Sequence, residues 1–141
     1  MDVLIAKCDQ MAIEALLSDF TWHADRGEGA ALGALFLSDA VLTAGGVALR
    51  GCDVIAADCY RRSENPTRKT RHIWSNLRFE QAGDDLIATT IVQQTFEQNG
   101  VDQPTQLRLN DVTDTFRKNE SGAWRFASRS IKREMALTFP A

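Results

Sequence analysis

Paired half-cystines are absent from this sequence. Its three cysteines, Cys8, Cys52 and Cys59, are odd in number and show no C-x-x-C spacing, which excludes a disulfide framework and a thiol-based zinc site. Cys52 and Cys59 lie seven apart on a predicted helix, hence on one face, and read as small apolar core residues in a reducing cytosol. Surplus positive charge is also lacking. Sixteen Lys and Arg stand against 19 Asp and Glu, giving a formal net charge of -3 and a pI near 5.3. That excludes the counterion-displacing surface that nucleic acids and anionic membranes require. No window approaches the roughly 20 apolar residues of a membrane span, and Met1–Lys7 has no basic start followed by an apolar run. The expectation is a soluble, cytoplasmic protein. Repeats, low-complexity tracts and linkers are missing, so residues 1–141 read as one domain. No G-x-G-x-x-G or G-K-[ST] follows a strand into a helix, and Gly45-Gly46 is a turn rather than a phosphate loop. No metal cluster or G-x-S-x-G nucleophile is seen, and cofactor-free chemistry is expected.

What is present is a change of period midway along the chain. From Asp2 to about Asp25, apolar groups at Ile5, Cys8, Met11, Ala12, Ala15, Leu16 and Phe20 recur at the spacing of one helical face. Gly27 and Gly29 interrupt it, and residues Ala30–Phe36 predict a second, shorter helix stopping near Ser38-Asp39. Val41–Ala44 and Val47–Arg50, joined by paired glycines, predict a hairpin. Cys52–Arg62 predicts a third helix, ended by Asn65-Pro66. From Thr70 onward a meander of about four strands follows, broken at Ala82–Asp85, Asn99-Gly100 and Asn119–Gly122. Helices first and an antiparallel sheet later indicate an α+β domain with helices on one face of a twisted sheet. The strand after Asp85 is partly apolar on both faces, which suits one face against helices and the other against a pocket or a second subunit.

Two residues could carry chemistry. His72 lies early in a strand, in Arg71-His72-Ile73-Trp74-Ser75-Asn76, and Asp25 lies at a helix end. Read alone, His72 is either a half-buried histidine donating to a backbone carbonyl or a base oriented by a carboxylate. Asp25 either caps, pairs with Arg26 or Arg71, or has a role that compensates an aspartate at a helix C-terminus, where the macrodipole disfavours it. His23 projects from the other side of the helix and reads as structural. Phe20, Trp22, Phe36, Trp74, Phe79 and Phe96 read as pocket walls or as core. Arg129, Arg133, Asn76, Trp74 and Tyr60 are candidates for stabilising developing charge. His72 shares a strand face with Trp74, Asn76 and Arg78, while Ile73, Leu77 and Phe79 form the more apolar set. The cavity face is therefore the mixed one, or a bulge shifts the register. The basic stretch Arg61–Arg71 reads as a solvated loop, a steering patch for an anionic ligand or a subunit contact.

The element order, together with Phe36-Leu37-Ser38-Asp39-Ala40, Arg71-His72-Ile73 followed by Asn76, and Gly122-Ala123-Trp124-Arg125-Phe126, resembles the SnoaL-like branch of the nuclear-transport-factor-2-like superfamily over nearly the whole chain. The resemblance implies a cone, a curved sheet wrapped by three helices around a blind apolar pocket, and a homodimer or homotrimer formed through the sheet. Within the branch the chain is most similar to the Asp-His dyad group of scytalone dehydratase, bile-acid 7α-dehydratase and hexachlorocyclohexane dehydrochlorinase. That likeness implies catalytic roles for Asp25 and His72, with Arg133 where the bile-acid enzyme has a functional arginine. With that dyad in place, substrate-binding roles are expected from residue type for Phe20, Trp22, Tyr60, Trp74, Asn76, Phe96 and Arg129. Phe20 replaces a tyrosine of several relatives, Ala24 precedes the aspartate, and Phe96 falls where scytalone dehydratase has a second histidine, so a scytalone-type dehydration lacks its usual partners. The implied activity is a cofactor-independent lyase, dehydratase or isomerase acting on a small apolar aromatic, terpenoid or steroid-like molecule. Thr70-Arg71-His72 with Asn76 and the ending Trp124–Ile131 also resemble the small β-subunit of aromatic-ring-hydroxylating dioxygenases, which implies a non-catalytic subunit as the alternative. A binding module without chemistry is the third expectation.

Overall fold

The computed structural model describes residues 4–141, so the Asp2-Val3 start expected for the first helix lies outside the described residues. Helix α1 spans Lys7–Arg26, α2 Gly29–Gly33 and α3 Cys52–Ser63. The strands are β1 Phe36–Ala44, β2 Val47–Arg50, β3 Arg68–Gly83, β4 Leu86–Asn99, β5 Thr105–Lys118 and β6 Trp124–Phe139. They form one sheet in the order β2-β1-β6-β5-β4-β3, antiparallel throughout except where β1 runs parallel to β6. This is the expected α+β architecture, a curved sheet with three helices.

One element departs from expectation. The second helix ends at Gly33, and Phe36 already belongs to β1. Sheet pairing outcompetes the continuing helical pattern there: Leu35 accepts a hydrogen bond from the Phe126 N–H at 2.9 Å, and the Phe36 ring stacks on Phe126 at 4.8 Å. Phe116 packs on Phe126 at 4.7 Å, and Phe20 meets both Phe36 and Phe126 edge-on. These rings join Ile13, Leu17, Ile55, Ile91 and Val112 as the buried core, an arrangement in which offset and edge-on aromatic pairs add to area burial. The Gly45-Gly46 turn closes the β1–β2 hairpin with φ of 56° and 78°, the pair of positive angles a two-residue hairpin turn requires.

The face of β3 is settled by a bulge. Thr70, His72 and Trp74 point to the helix-covered side, opposite Glu97, Thr95 and Gln93 of β4. The register then shifts between Ser75 and Arg78, where Asn76 sits at φ 58°, and Leu77 and Phe79 continue the inner face against the core. Both alternatives read from the sequence therefore hold, one on each side of Asn76.

Candidate functional site

Asp25 lies in the last turn of α1, which stops at Gly27 with φ 67°. A Cβ at Gly27 would lie 2.3 Å from the Ser63 Cβ, so glycine is what lets the end of α1 pack against the end of α3 and fixes where Asp25 points. The strand opposite is β3, an edge strand, whose outward N–H groups have no strand partner. Asp25 takes up that vacancy: its Oδ2 accepts from the His72 backbone N–H at 2.9 Å, and its Oδ1 accepts from the Thr70 hydroxyl at 2.9 Å. The His72 ring completes the set, with Nδ1 2.5 Å from Asp25 Oδ1.

An ionised carboxylate only accepts, so the proton of this contact belongs to Nδ1, and the neutral ring keeps its lone pair on Nε2. Burial pushes the Asp25 pKa up, but the His72 ring, the His72 N–H and the Thr70 hydroxyl together outweigh it and hold the carboxyl below its ordinary 3.8. The Asp25 side chain is 4% exposed and that of His72 17%. A nearly sealed anion thus fixes a ring that still reaches open space.

That space is a cavity of about 810 Å³, large enough for a ligand of drug or terpenoid size. Phe20, Leu32, Leu42, Leu49, Ile55 and Ile131 form its apolar wall. Its polar floor is laid out by strand register. His72, Thr95 and Arg108 form one cross-strand row, and Gln93, Asn110 and Arg133 form the next. Gln93 is 1% exposed and its Nε2 has no hydrogen-bond partner among the described residues. Cys59 also lines the cavity, but burial and the nearby Asp58 charge push its thiol pKa up, away from nucleophile behaviour. Among the described residues no three His, Cys, Asp or Glu side chains converge on a possible metal position. No described helix is long and apolar enough to cross a membrane.

Of the residues singled out from sequence, His72, Phe20 and Arg133 line the cavity, and Asp25 stands behind His72. The others lie elsewhere. Trp22 is 56% exposed beneath the Arg26 guanidinium, and Tyr60 is 62% exposed, because the outer faces of α1 and α3 point away from the sheet. Trp74 is on the inner face but packs against the core beyond the cavity. Asn76 is spent on the bulge. Phe96 falls between Thr95 and Glu97, so alternation turns it to the opposite face. Arg129 is fully buried in an ion pair with Asp114, its Nη1 3.3 and 3.2 Å from the two carboxylate oxygens, and it lies over the Phe20 ring at 4.1 Å. His23 pairs with Glu28 at 3.2 Å.

Sequence reasoning missed Gln93, Asn110, Glu97 and Arg108, and reached Arg68 only as part of the basic stretch Arg61–Arg71. A signal for Gln93 was available: it interrupts the inward run Ile87, Thr89, Ile91 with an amide, where burial requires a partner.

Residues 7–130 match the SnoaL-like domain family. No curated protein matches the sequence. A structure titled putative scytalone dehydratase from Novosphingobium aromaticivorans superposes with a TM-score of 0.82 at 21% identity, over 95% of this chain and 89% of that one. A type 2 hexachlorocyclohexane dehydrochlorinase gives 0.82 at 20% identity, over 95% and 90%. A type 3 form from Novosphingobium barchaimii gives 0.81 at 19% identity, over 94% and 90%.

Proposed function

The chain belongs to the SnoaL-like domain family, and from that premise we propose that it is a cofactor-independent lyase, dehydratase or isomerase in which His72 removes a proton from a small, largely apolar molecule. The observation that carries this reading is the hydrogen bond from His72 Nδ1 to the buried Asp25 carboxylate, on a histidine that lines the cavity. In the proposed step Nε2 takes the proton from a substrate carbon. The C–H electron pair becomes the new double bond and the leaving group departs with its own electrons, or, in an isomerisation, the pair shifts along a conjugated system and the imidazolium returns the proton to another carbon. Asp25 keeps the ring in the reactive tautomer and stabilises the imidazolium that forms. Such a base supplies roughly 10²- to 10⁴-fold. Arg133, exposed on β6 in the row next to that of His72, is proposed as the cation that meets developing negative charge. The names dehydratase and dehydrochlorinase carried by two structural neighbours denote eliminations, which supports the reading at the level of reaction type.

The test is turnover by His72→Ala, first on panels of aromatic and cyclic substrates that carry a leaving group next to an acidic C–H. Activity should vanish while the circular dichroism spectrum and melting temperature stay near wild type. Retained activity overturns the reading. We also propose a cytoplasmic homo-oligomer, dimer or trimer. The sheet face turned away from the helices exposes Ile73, Met135, Leu137 and Phe139, an apolar surface that a second copy would cover. Sedimentation at micromolar concentration tests that assembly.

A further inference from the structure

The charge around the cavity opposes the charge of the chain. Five arginines and two carboxylates line the cavity in a protein whose formal net charge is -3. The arginines are not equivalent. Arg61 and Arg62 are largely exposed and both pair with Asp58 on their own helix. Arg68 and Arg108 are about one-fifth exposed, reach in from β3 and β5, and converge on Glu97 of the strand between them at 3.2 and 2.8 Å. Burial pushes the Glu97 pKa up, but the Arg108 hydrogen bond and the two guanidinium charges hold it below the ordinary range. The trio therefore keeps a net positive charge. Each guanidinium meets Glu97 through its Nη2, Arg108 also donates from Nη1 to the Gln106 amide oxygen at 3.2 Å, and each keeps further N–H donors beyond these contacts. Two cations held in place by one anion are pre-organised, and a ligand that uses them loses little further side-chain freedom.

We propose that the cavity takes an organic carboxylate: an apolar body against Leu32, Leu42, Ile55 and Ile131, with its carboxylate received by Arg68 and Arg108. The inference rests on the reading of this cavity as the substrate site and names the ligand class for it. The geometry also sets a distance. Thr95 separates His72 from Arg108 in one cross-strand row, so the base and the clamp are two strand spacings apart, on the order of 10 Å between backbones. A carboxylate on the clamp places a carbon near the far end of a bicyclic skeleton at the imidazole.

Titration calorimetry tests the proposal, with 2-naphthoate and 4-biphenylcarboxylate each compared with its own primary amide on the full chain. The carboxylates should bind roughly ten- to a hundredfold more tightly than the amides at low salt, and the preference should shrink as salt rises. Arg108→Gln and Arg68→Gln should each cut it to a few-fold, while His72→Ala should leave it intact. Equal binding of acid and amide, binding by neither, or a preference untouched by both arginine variants overturns the proposal. These measurements need no turnover and so separate the two claims. A carboxylate preference that survives alongside an active His72→Ala enzyme would sink only the proton-abstraction reading. Loss of the preference with His72 still essential would sink only the clamp.

Discussion

The inner face of one sheet sets two buried carboxylates against basic side chains, with opposite fates. Asp25 receives three donors, the His72 ring, the His72 N–H and the Thr70 hydroxyl. Asp114 receives one, the Nη1 of Arg129. The first carboxyl is held below its ordinary pKa in spite of burial, and the second is pushed by burial up to about 6, with Arg129 opposing. The first pair opens onto a cavity, while both side chains of the second are 0% exposed. Burial alone thus makes a strained structural pair. Burial of the anion together with access for its partner makes a usable base.

The sealed pair should give the largest response. Arg129→Met removes the only side-chain donor to Asp114 among the described residues and leaves a buried carboxyl unpaired, a loss of about 3–5 kcal/mol in chemical denaturation. Adding Asp114→Leu should restore most of it, since an apolar pair replaces the ions and the unpartnered Nε and Nη2 of Arg129 disappear with them. A double variant as unstable as the single one would show that the pair itself contributes to stability.

The open pair should respond less to substitution and in the opposite sense to acid. Asp25 has a folded pKa below 3.8, so its stabilisation is complete above that value and is lost as pH falls through the lower folded one. The margin in melting temperature of wild type over Asp25→Asn should therefore shrink below about pH 4, for a loss of about 1.5–3 kcal/mol at neutral pH. Asp114 works the other way. Its folded pKa is raised, so the fold binds its proton first, and its penalty sets in as pH rises from 3.8 to about 6. Asp114→Asn should flatten that segment of the stability curve and leave the acid limb unchanged. Identical profiles for the two variants would erase the distinction between the pairs.

How much of this was legible depended on whether the signal was local. Asp25 stood out because a carboxylate at a helix C-terminus runs against the dipole, and His72 because strand parity gave it a face. The bulge at Asn76 was one of two readings left open, since a positive φ at a non-glycine residue follows from tertiary closure. Arg129 carries no mark of burial in its own neighbourhood. Its partner lies across the β5–β6 hairpin, beyond the turn at Asn119–Gly122. Extending the register from that turn pairs Asp114 with Ser128, and only the bulge between Thr115 and Phe116 moves it to Arg129. The clamp of Arg68, Glu97 and Arg108 spans three strands, and only the joint register of two hairpins brings it together.

The smallest expected effect tests whether the cavity floor is built for stability or for a ligand. Gln93 is buried with its Nε2 unpartnered, and such a group costs about 1–3 kcal/mol that a packed apolar residue of similar volume would not. A floor built only for stability would carry leucine there. Gln93→Leu should therefore raise stability by about 1 kcal/mol, measured by urea denaturation, and should weaken binding of the naphthoate probe or lower turnover in the same protein. A variant that is stabilised and loses nothing would make Gln93 an uncorrected flaw of the core. One that is destabilised would mean the amide is satisfied by ordered water, which would make the floor a hydrated surface rather than one waiting for an acceptor.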